Sequence, residues 1–149
     1  MIQFKIANND DIELIYYLNK NLIDKYEDVK SIDYERVLKW VREKIEDNIN
    51  LYKAIFYNGI KVGYFYLHEV DLKLEIDDLY IFDEYQNKGI GTFVLNSCIS
   101  ISNEKNVSLF LYVFAKNTGA CSLYKRLGFE IIQNIKDTRY IMERNPSKA

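Results

Sequence analysis

The segment Leu79-Tyr80-Ile81-Phe82-Asp83-Glu84-Tyr85-Gln86-Asn87-Lys88-Gly89-Ile90-Gly91-Thr92 passes from an apolar strand pattern, through a glycine-punctuated turn, into an apolar helix pattern. Such a turn presents free backbone N–H groups at a helix N-terminus, where the helix dipole favours an anion. Gly89 and Gly91 let a phosphate approach the backbone with no Cβ in the way, and Lys88 adds a positive charge. Two common nucleotide-binding spacings are absent. A GxGxxG turn needs glycine at position 94, which is Val94, and a P-loop lysine follows its glycine, whereas Lys88 precedes Gly89.

Immediately upstream, residues 74–82 read as a strand interrupted by Asp77-Asp78. A polar pair inside a strand marks a bulge or a close backbone approach to a ligand. Asn58-Gly59 is the strongest short hairpin signal, since both central residues of a type I′ turn need φ > 0; it joins strands expected over residues 51–57 and 60–70. Nearer the N-terminus, residues 2–6 alternate as a strand, and Asn9, Asp10 and Asp11 offer helix caps. Ile12, Ile15, Tyr16, Asn19, Leu22, Ile23 and Tyr26 then recur at helical spacing, as do Val37, Leu38, Val41 and Ile45 after Asp33.

Downstream of the turn, the helix runs to about Asn103 and a buried strand covers residues 107–114. A short helix over 117–127 is stopped by Gly128, and strands over 129–135 and 138–142 form a last hairpin. The order β-α-α-β-β-β-α-β-α-β-β predicts an α/β fold built on a mixed (α+β) sheet. Only the strand–helix–strand unit around residues 86–114 must be parallel.

Composition narrows the function. A length of 149 residues argues for a single domain spanning 1–149, with the polar stretch 144–149 expected to fray as a tail. Apolar residues make up 48% and charged residues 28%, an ordinary globular mixture that excludes disorder for most of the chain. A net charge of −2 argues against a phosphate-neutralising nucleic-acid binder. No apolar run approaches the roughly 20 residues of a membrane span, and the N-terminus lacks a signal-peptide pattern. Two isolated cysteines, Cys98 and Cys121, and one histidine give neither a disulfide framework nor a zinc spacing. The expectation is a cytoplasmic, metal-free protein, monomeric or homodimeric, with no nucleic-acid or membrane partner.

A second cluster, Asn117-Thr118-Gly119-Ala120-Cys121-Ser122-Leu123-Tyr124-Lys125-Arg126-Leu127-Gly128-Phe129, sits on the short helix. Asn117, Ala120, Cys121 and Tyr124 fall at i, i+3, i+4 and i+7 and share one face, with two small residues between two polar ones. A slender ligand arm fits such a groove, although a plain surface helix with a core tyrosine gives the same pattern.

Together the two clusters resemble the GNAT superfamily of acetyl-CoA-dependent N-acetyltransferases. Gln86-Asn87-Lys88-Gly89-Ile90-Gly91 matches that family's pyrophosphate loop, and Asn117 with Leu123–Phe129 looks like its second cofactor motif. One departure is Asp83-Glu84, where the family often has proline; it affects only the turn. The resemblance covers residues 74–129 best and implies a GNAT-like acyl-CoA N-acyltransferase fold. It further implies that the pantetheine arm of acetyl-CoA pairs with the backbone of Leu79, Tyr80 and Ile81 as an added strand. The pyrophosphate would lie on the N–H groups of Gln86, Asn87, Lys88, Gly89, Ile90, Gly91 and Thr92, with Asn117 and Tyr124 completing the cofactor site.

The implied reaction is direct attack of a primary amine, on a small molecule or a peptide, upon the acetyl carbonyl. A strand amide near Leu79–Ile81 would face the developing oxyanion. Tyr124 would stabilise the leaving thiolate. Glu75 occupies a position where some members carry a base acting through water, and Asp77 on the same strand face is its rival if no bulge intervenes. The alternatives for Glu75 and for His68 are an ordinary solvated carboxylate and a structural histidine. Cys121 is read as a small packing residue facing the groove. From Leu67 to Glu84 seven acids face Lys73 alone, which favours a cationic amine. The competing reading is an acetyl-CoA-binding or protein-interaction module without turnover.

Overall fold

The elements fall in the predicted order. The computed structural model describes residues 1–147. It contains β1 (Ile2–Ile6), α1 (Ile12–Tyr26), α2 (Tyr34–Asn48), β2 (Lys53–Tyr57), β3 (Ile60–Val70), β4 (Lys73–Ile81), α3 (Ile90–Lys105), β5 (Leu109–Phe114), α4 (Thr118–Arg126), β6 (Glu130–Ile135) and β7 (Arg139–Arg144). Helix starts are set by the short polar side chains the sequence offers. The side chain of Asn8 and that of Asp11 form a reciprocal capping box ahead of α1, and the Asp33 carboxylate accepts from the Arg36 amide at the start of α2.

The seven strands form one sheet in the order β1-β2-β3-β4-β5-β7-β6. Every pairing is antiparallel except β4 with β5, the pair that the intervening α3 crossover requires. On one face α3 and α4 bury an aliphatic core that includes Val94, Leu95, Leu109, Leu111 and Met142. On the other, α1 and α2 cover Tyr52, Ala54, Tyr64 and Tyr66.

The Asp77-Asp78 interruption is a bulge. Tyr66 pairs with Asp78 and Leu67 with Ile76, so Asp77 has no partner of its own on β3. The extra residue shifts the strand's alternation. Leu74, Ile76, Leu79 and Ile81 all pack on the aliphatic side. Asp78 turns to the other face, where it accepts hydrogen bonds from Tyr52, Tyr80 and Lys44.

Two sequence expectations need correction. Arg144, assigned to a fraying tail, is the last residue of β7. Its guanidinium donates to the carbonyl of Leu127 and to Asn103, and the Ser147 amide also donates to Asn103, so the chain is tied down through Ser147. The rest of the expected tail, residues 148–149, lies outside the described residues. Cys121 does not face a groove; it is buried in the α3/α4 core with its sulfur towards the Phe114 carbonyl. Gly119 and Ala120 line the open side of α4 instead.

Candidate active site

The strands β4 and β5 pair only over Leu74–Ile76 and Leu109–Leu111. Beyond that point β5 stays with β7 as far as Phe114, while β4 follows β3 as far as Ile81. The two strands therefore part, and residues 77–81 have no strand partner on the β5 side. Unpaired strand backbone is a template for an added strand. The opening continues into a cleft of about 1840 Å³ that runs across the molecule.

Leu79, Tyr80 and Ile81 form one wall of that cleft. Gln86, Asn87, Gly89, Gly91 and Thr92 rim it, and Asn117 and Tyr124 line it from α4. The sequence thus brought together most of the residues it named. Lys88 and Ile90 are the exceptions. Lys88 does not line the cleft, and the Ile90 side chain is buried in the α3/α4 core, leaving only its backbone for a ligand. At the mouth, Gly89 caps α3 with φ +83° and Asn87 has φ +61°. No side chain caps this helix, so its first N–H groups are left for an anion. Gln86 is held in place by donating from Nε2 to the Ile81 carbonyl at 2.9 Å.

The α4 side is less available than its pattern suggests. The Asn117 carbonyl oxygen accepts from the Ala120 amide at 3.2 Å, so the side chain is the N-cap of α4. Tyr124 is half-buried against Phe129, and no hydrogen bond to its hydroxyl is found among the described residues. Burial pushes this hydroxyl up to about 12.

At the inner end of the split, Glu75 on β4 stands directly opposite His68 on β3. The imidazole Nε2 is 3.2 Å from Glu75 Oε1 and 3.3 Å from Asp77 Oδ2. The bulge leaves Asp77 on the same side of the strand as Glu75, so it joins the cluster. Burial, and then repulsion from Asp77, raises Glu75 above the usual carboxylate range, while His68 and Lys44 pull the other way. The Lys44 ammonium, on α2, lies 3.0 Å from Asp77 Oδ1 and 3.3 Å from Asp78 Oδ2. Burial would lower this lysine, but the two carboxylates outweigh it and raise it.

Sequence reasoning missed Lys44. Nothing local marks it, because it reads as one more solvent lysine on an amphipathic helix. It did name Glu75, Asp77 and His68, but separately. The signal that joins them is the tight turn Asp71-Leu72 between Val70 and Lys73: stepping outward pair by pair puts His68 across from Glu75. The acids are also less free than their density implies. Glu69 lies 3.6 Å from Lys105, and Asp77 and Asp78 share Lys44. Glu75, unlike Asp77 and Asp78, has no lysine or arginine partner among the described residues.

The sequence matches the Acetyltransferase (GNAT) family over residues 15–129. It is 27% identical, over 93% of its length and 88% of the relative's, to the acetyltransferase PseH of Campylobacter jejuni. It is also 27% identical to an uncharacterized N-acetyltransferase of Methanocaldococcus jannaschii over 85% of its own length, although it spans only 58% of that protein. The fold matches that of the PaiA N-acetyltransferase from Thermoplasma acidophilum in complex with coenzyme A, with a TM-score of 0.71 at 22% identity, covering 97% of this chain and 99% of that one. The chain belongs to the GNAT acetyltransferase family and is an acetyl-CoA-dependent acyltransferase.

Proposed function

We propose that this GNAT-family chain transfers the acetyl group of acetyl-CoA to a primary amine by direct attack, with Glu75 as the proton acceptor and Tyr124 beside the leaving sulfur. The observation that carries this reading is the parting of β4 from β5, with an open helix N-terminus at one end and Glu75 at the other. Acetyl-CoA enters the split as a strand, its pantetheine along Leu79, Tyr80 and Ile81. Its pyrophosphate rests on the N–H groups from Asn87 to Thr92, since the Gln86 amide already donates to the Asp83 carbonyl at 3.3 Å. Lys88 contributes its backbone N–H, and its side chain, which does not line the cleft, adds positive charge at longer range.

The amine nitrogen attacks the acetyl carbon, and a free β4 amide stabilises the oxygen as it becomes anionic. The C–S bond then breaks and coenzyme A leaves as a thiolate. The proton lost by the amine passes to Glu75, directly or through one water. The raised position of Glu75 makes it a better acceptor than a solvated glutamate. Holding both reactants in one cleft supplies a large share of the rate. The acceptor is a primary amine of a small molecule or a peptide. A cationic amine is favoured at the base through Glu75, since Lys44 already balances much of the charge of Asp77 and Asp78.

The test is turnover of acetyl-CoA with a panel of polyamines, amino acids, aminoglycosides and peptide N-termini, in the presence of EDTA, with wild type and Glu75→Gln. With the best amine, Glu75→Gln is expected to lower kcat/KM at least about tenfold at neutral pH, in keeping with general-base help of about 10²- to 10⁴-fold. The loss shrinks at high pH, where the free amine is already neutral. Parallel pH profiles for the two proteins would remove Glu75 from the base role. Acetyl-CoA binding with no acetylation of any amine in the panel would remove the primary-amine acceptor from this reading.

A further inference from the structure

We propose that His68, Glu75 and Asp77 form a binding site for one divalent transition-metal ion of the zinc class, and that this ion and the acceptor amine exclude each other. The site follows from the geometry alone; the exclusion rests on the function proposed above.

The donors are placed by the hairpin. His68 and Glu75 face each other across β3 and β4, and Asp77 follows on the same side of β4 at the bulge. One ligand atom from each of the three lies within 4.8 Å of the others. Nε2 is 3.2 Å from a Glu75 oxygen and 3.3 Å from an Asp77 oxygen. Zinc binds imidazole nitrogen at about 2.0–2.1 Å and carboxylate oxygen at about 2.0–2.2 Å, so two ligands of a tetrahedral ion lie roughly 3.4 Å apart. The two separations from Nε2 are close to that value, and the two carboxylate oxygens lie within 4.8 Å of each other.

Nor does an ordinary hydrogen bond join the imidazole to either carboxylate. Nε2 is shut off from solvent and has no hydrogen-bond partner, although two carboxylates flank it. A buried ring nitrogen left unpaired calls for a partner. The side chains are only 25%, 14% and 21% exposed for His68, Glu75 and Asp77, so water does not disperse the negative charge that Lys44, which faces Asp77 and not Glu75, leaves unbalanced. A dication would.

The surroundings hold the ligands in position. Lys44 takes Asp77 Oδ1 at 3.0 Å, leaving Oδ2 turned towards His68. The Tyr66 ring stacks on the imidazole with centroids 4.6 Å apart and fixes its plane. Such supporting contacts orient metal ligands. One nitrogen and two oxygens select zinc-like ions over magnesium, which prefers oxygen and retains its waters. An ion bound here ties up the Glu75 carboxylate that would otherwise accept the amine's proton.

The experiment is a titration of EDTA-treated, chelator-free protein with zinc chloride against a chromophoric zinc indicator. Wild type is expected to bind one equivalent, and His68→Gln and Glu75→Gln each to weaken binding at least about tenfold, since even supporting residues around a metal cost about 10- to 100-fold. Millimolar magnesium should not compete. Retained acetyl-CoA binding in both variants shows that they are folded. No bound equivalent in wild type, or equal zinc affinity in wild type and His68→Gln, overturns the site. Zinc should inhibit turnover competitively against the amine and not against acetyl-CoA; undiminished turnover at full zinc occupancy overturns the exclusion. A metal-free protein that acetylates no amine would refute the proposed function, and the indicator titration would still decide the site.

Discussion

At the residue scale, Tyr124 carries the sharpest constraint on mechanism. Its hydroxyl sits at about 12, raised by burial, whereas an ordinary thiol lies near 8.5. Complete proton transfer from Tyr124 to the departing thiolate would therefore be uphill. A hydrogen bond that strengthens as the sulfur becomes anionic needs no such transfer. Tyr124→Phe is therefore expected to lower kcat by about 10- to 100-fold with little change in acetyl-CoA affinity, the signature of an interaction made only in the transition state. Steady-state kinetics with a saturating amine, alongside calorimetric acetyl-CoA binding, checks it. An unchanged kcat with acetyl transfer shown to be rate-limiting would leave Tyr124 as packing against Phe129. Asn117 shows the opposite case: its pattern suggested a ligand contact, yet its carbonyl oxygen already serves the N-cap of α4. A short polar side chain before a helix has this local use available whatever the ligand does.

At the element scale, the glycine turn separates two roles that its sequence joins. The left-handed backbone belongs to Gly89, at φ +83°, while Gly91 lies within the first turn of α3. A Cβ built on Gly91 would meet only Ile81 Cγ1 at 3.7 Å, so the empty protein has room for it. Gly91→Val is thus expected to fold, since valine is no worse a helix former than glycine. Its branches would project from the wall where the pyrophosphate comes closest, and acetyl-CoA should bind at least about tenfold more weakly, a loss of about 1.4 kcal/mol. Calorimetry on a protein with an unchanged melting temperature measures this; equal affinity would mean that the phosphate does not approach Gly91. The same contrast explains what was legible. Asn58-Gly59, the α1 and α2 periodicities and the glycine turn are local signals, and each produced its element at the expected place. The parallel pairing of β4 and β5 followed from the crossover. The splay between them did not, because it depends on β5 following β7 while β4 follows β3. Asp77-Asp78 gave the bulge but not its consequence, since which way Asp78 turns is decided by Tyr52, Tyr80 and Lys44, residues distant in sequence or on another element.

At the scale of the whole molecule, the two faces of the sheet are held by different chemistry. The α3/α4 side is aliphatic, whereas the α1/α2 side is built on tyrosines whose hydroxyls donate to buried acids. This accounts for several of the thirteen tyrosines without invoking an aromatic binding surface. Two carboxylates join the layers: Asp78, under α2, and Asp11, ahead of α1. Asp11 is 6% exposed and accepts from Lys61 Nζ and Tyr64 Oη, both at 2.6 Å, as well as from the Asn8 amide at 2.9 Å. Burial alone would raise its carboxyl, but these three donors outweigh that and hold it below the usual aspartate value. A carboxyl depressed in the folded state stabilises the fold fully above its unfolded value of about 3.9, and loses that contribution as pH falls through the folded value. Asp11→Asn removes the charge and turns one acceptor oxygen into a donor, facing either Lys61 and Tyr64 at Oδ1 or the Asn8 amide at Oδ2. It should cost about 1.5–3 kcal/mol at neutral pH, the range for hydrogen bonds to a charged group. The difference between wild type and variant should stay constant from pH 7 to about pH 5, then narrow below about pH 3.9 as the wild-type carboxylate takes up its proton. Urea unfolding of both proteins across pH 3–7 measures the narrowing. A difference independent of pH would show that Asp11 stabilises through shape and its neutral contacts rather than its charge, and the link between the α1 layer and the sheet would then rest on packing around Tyr64.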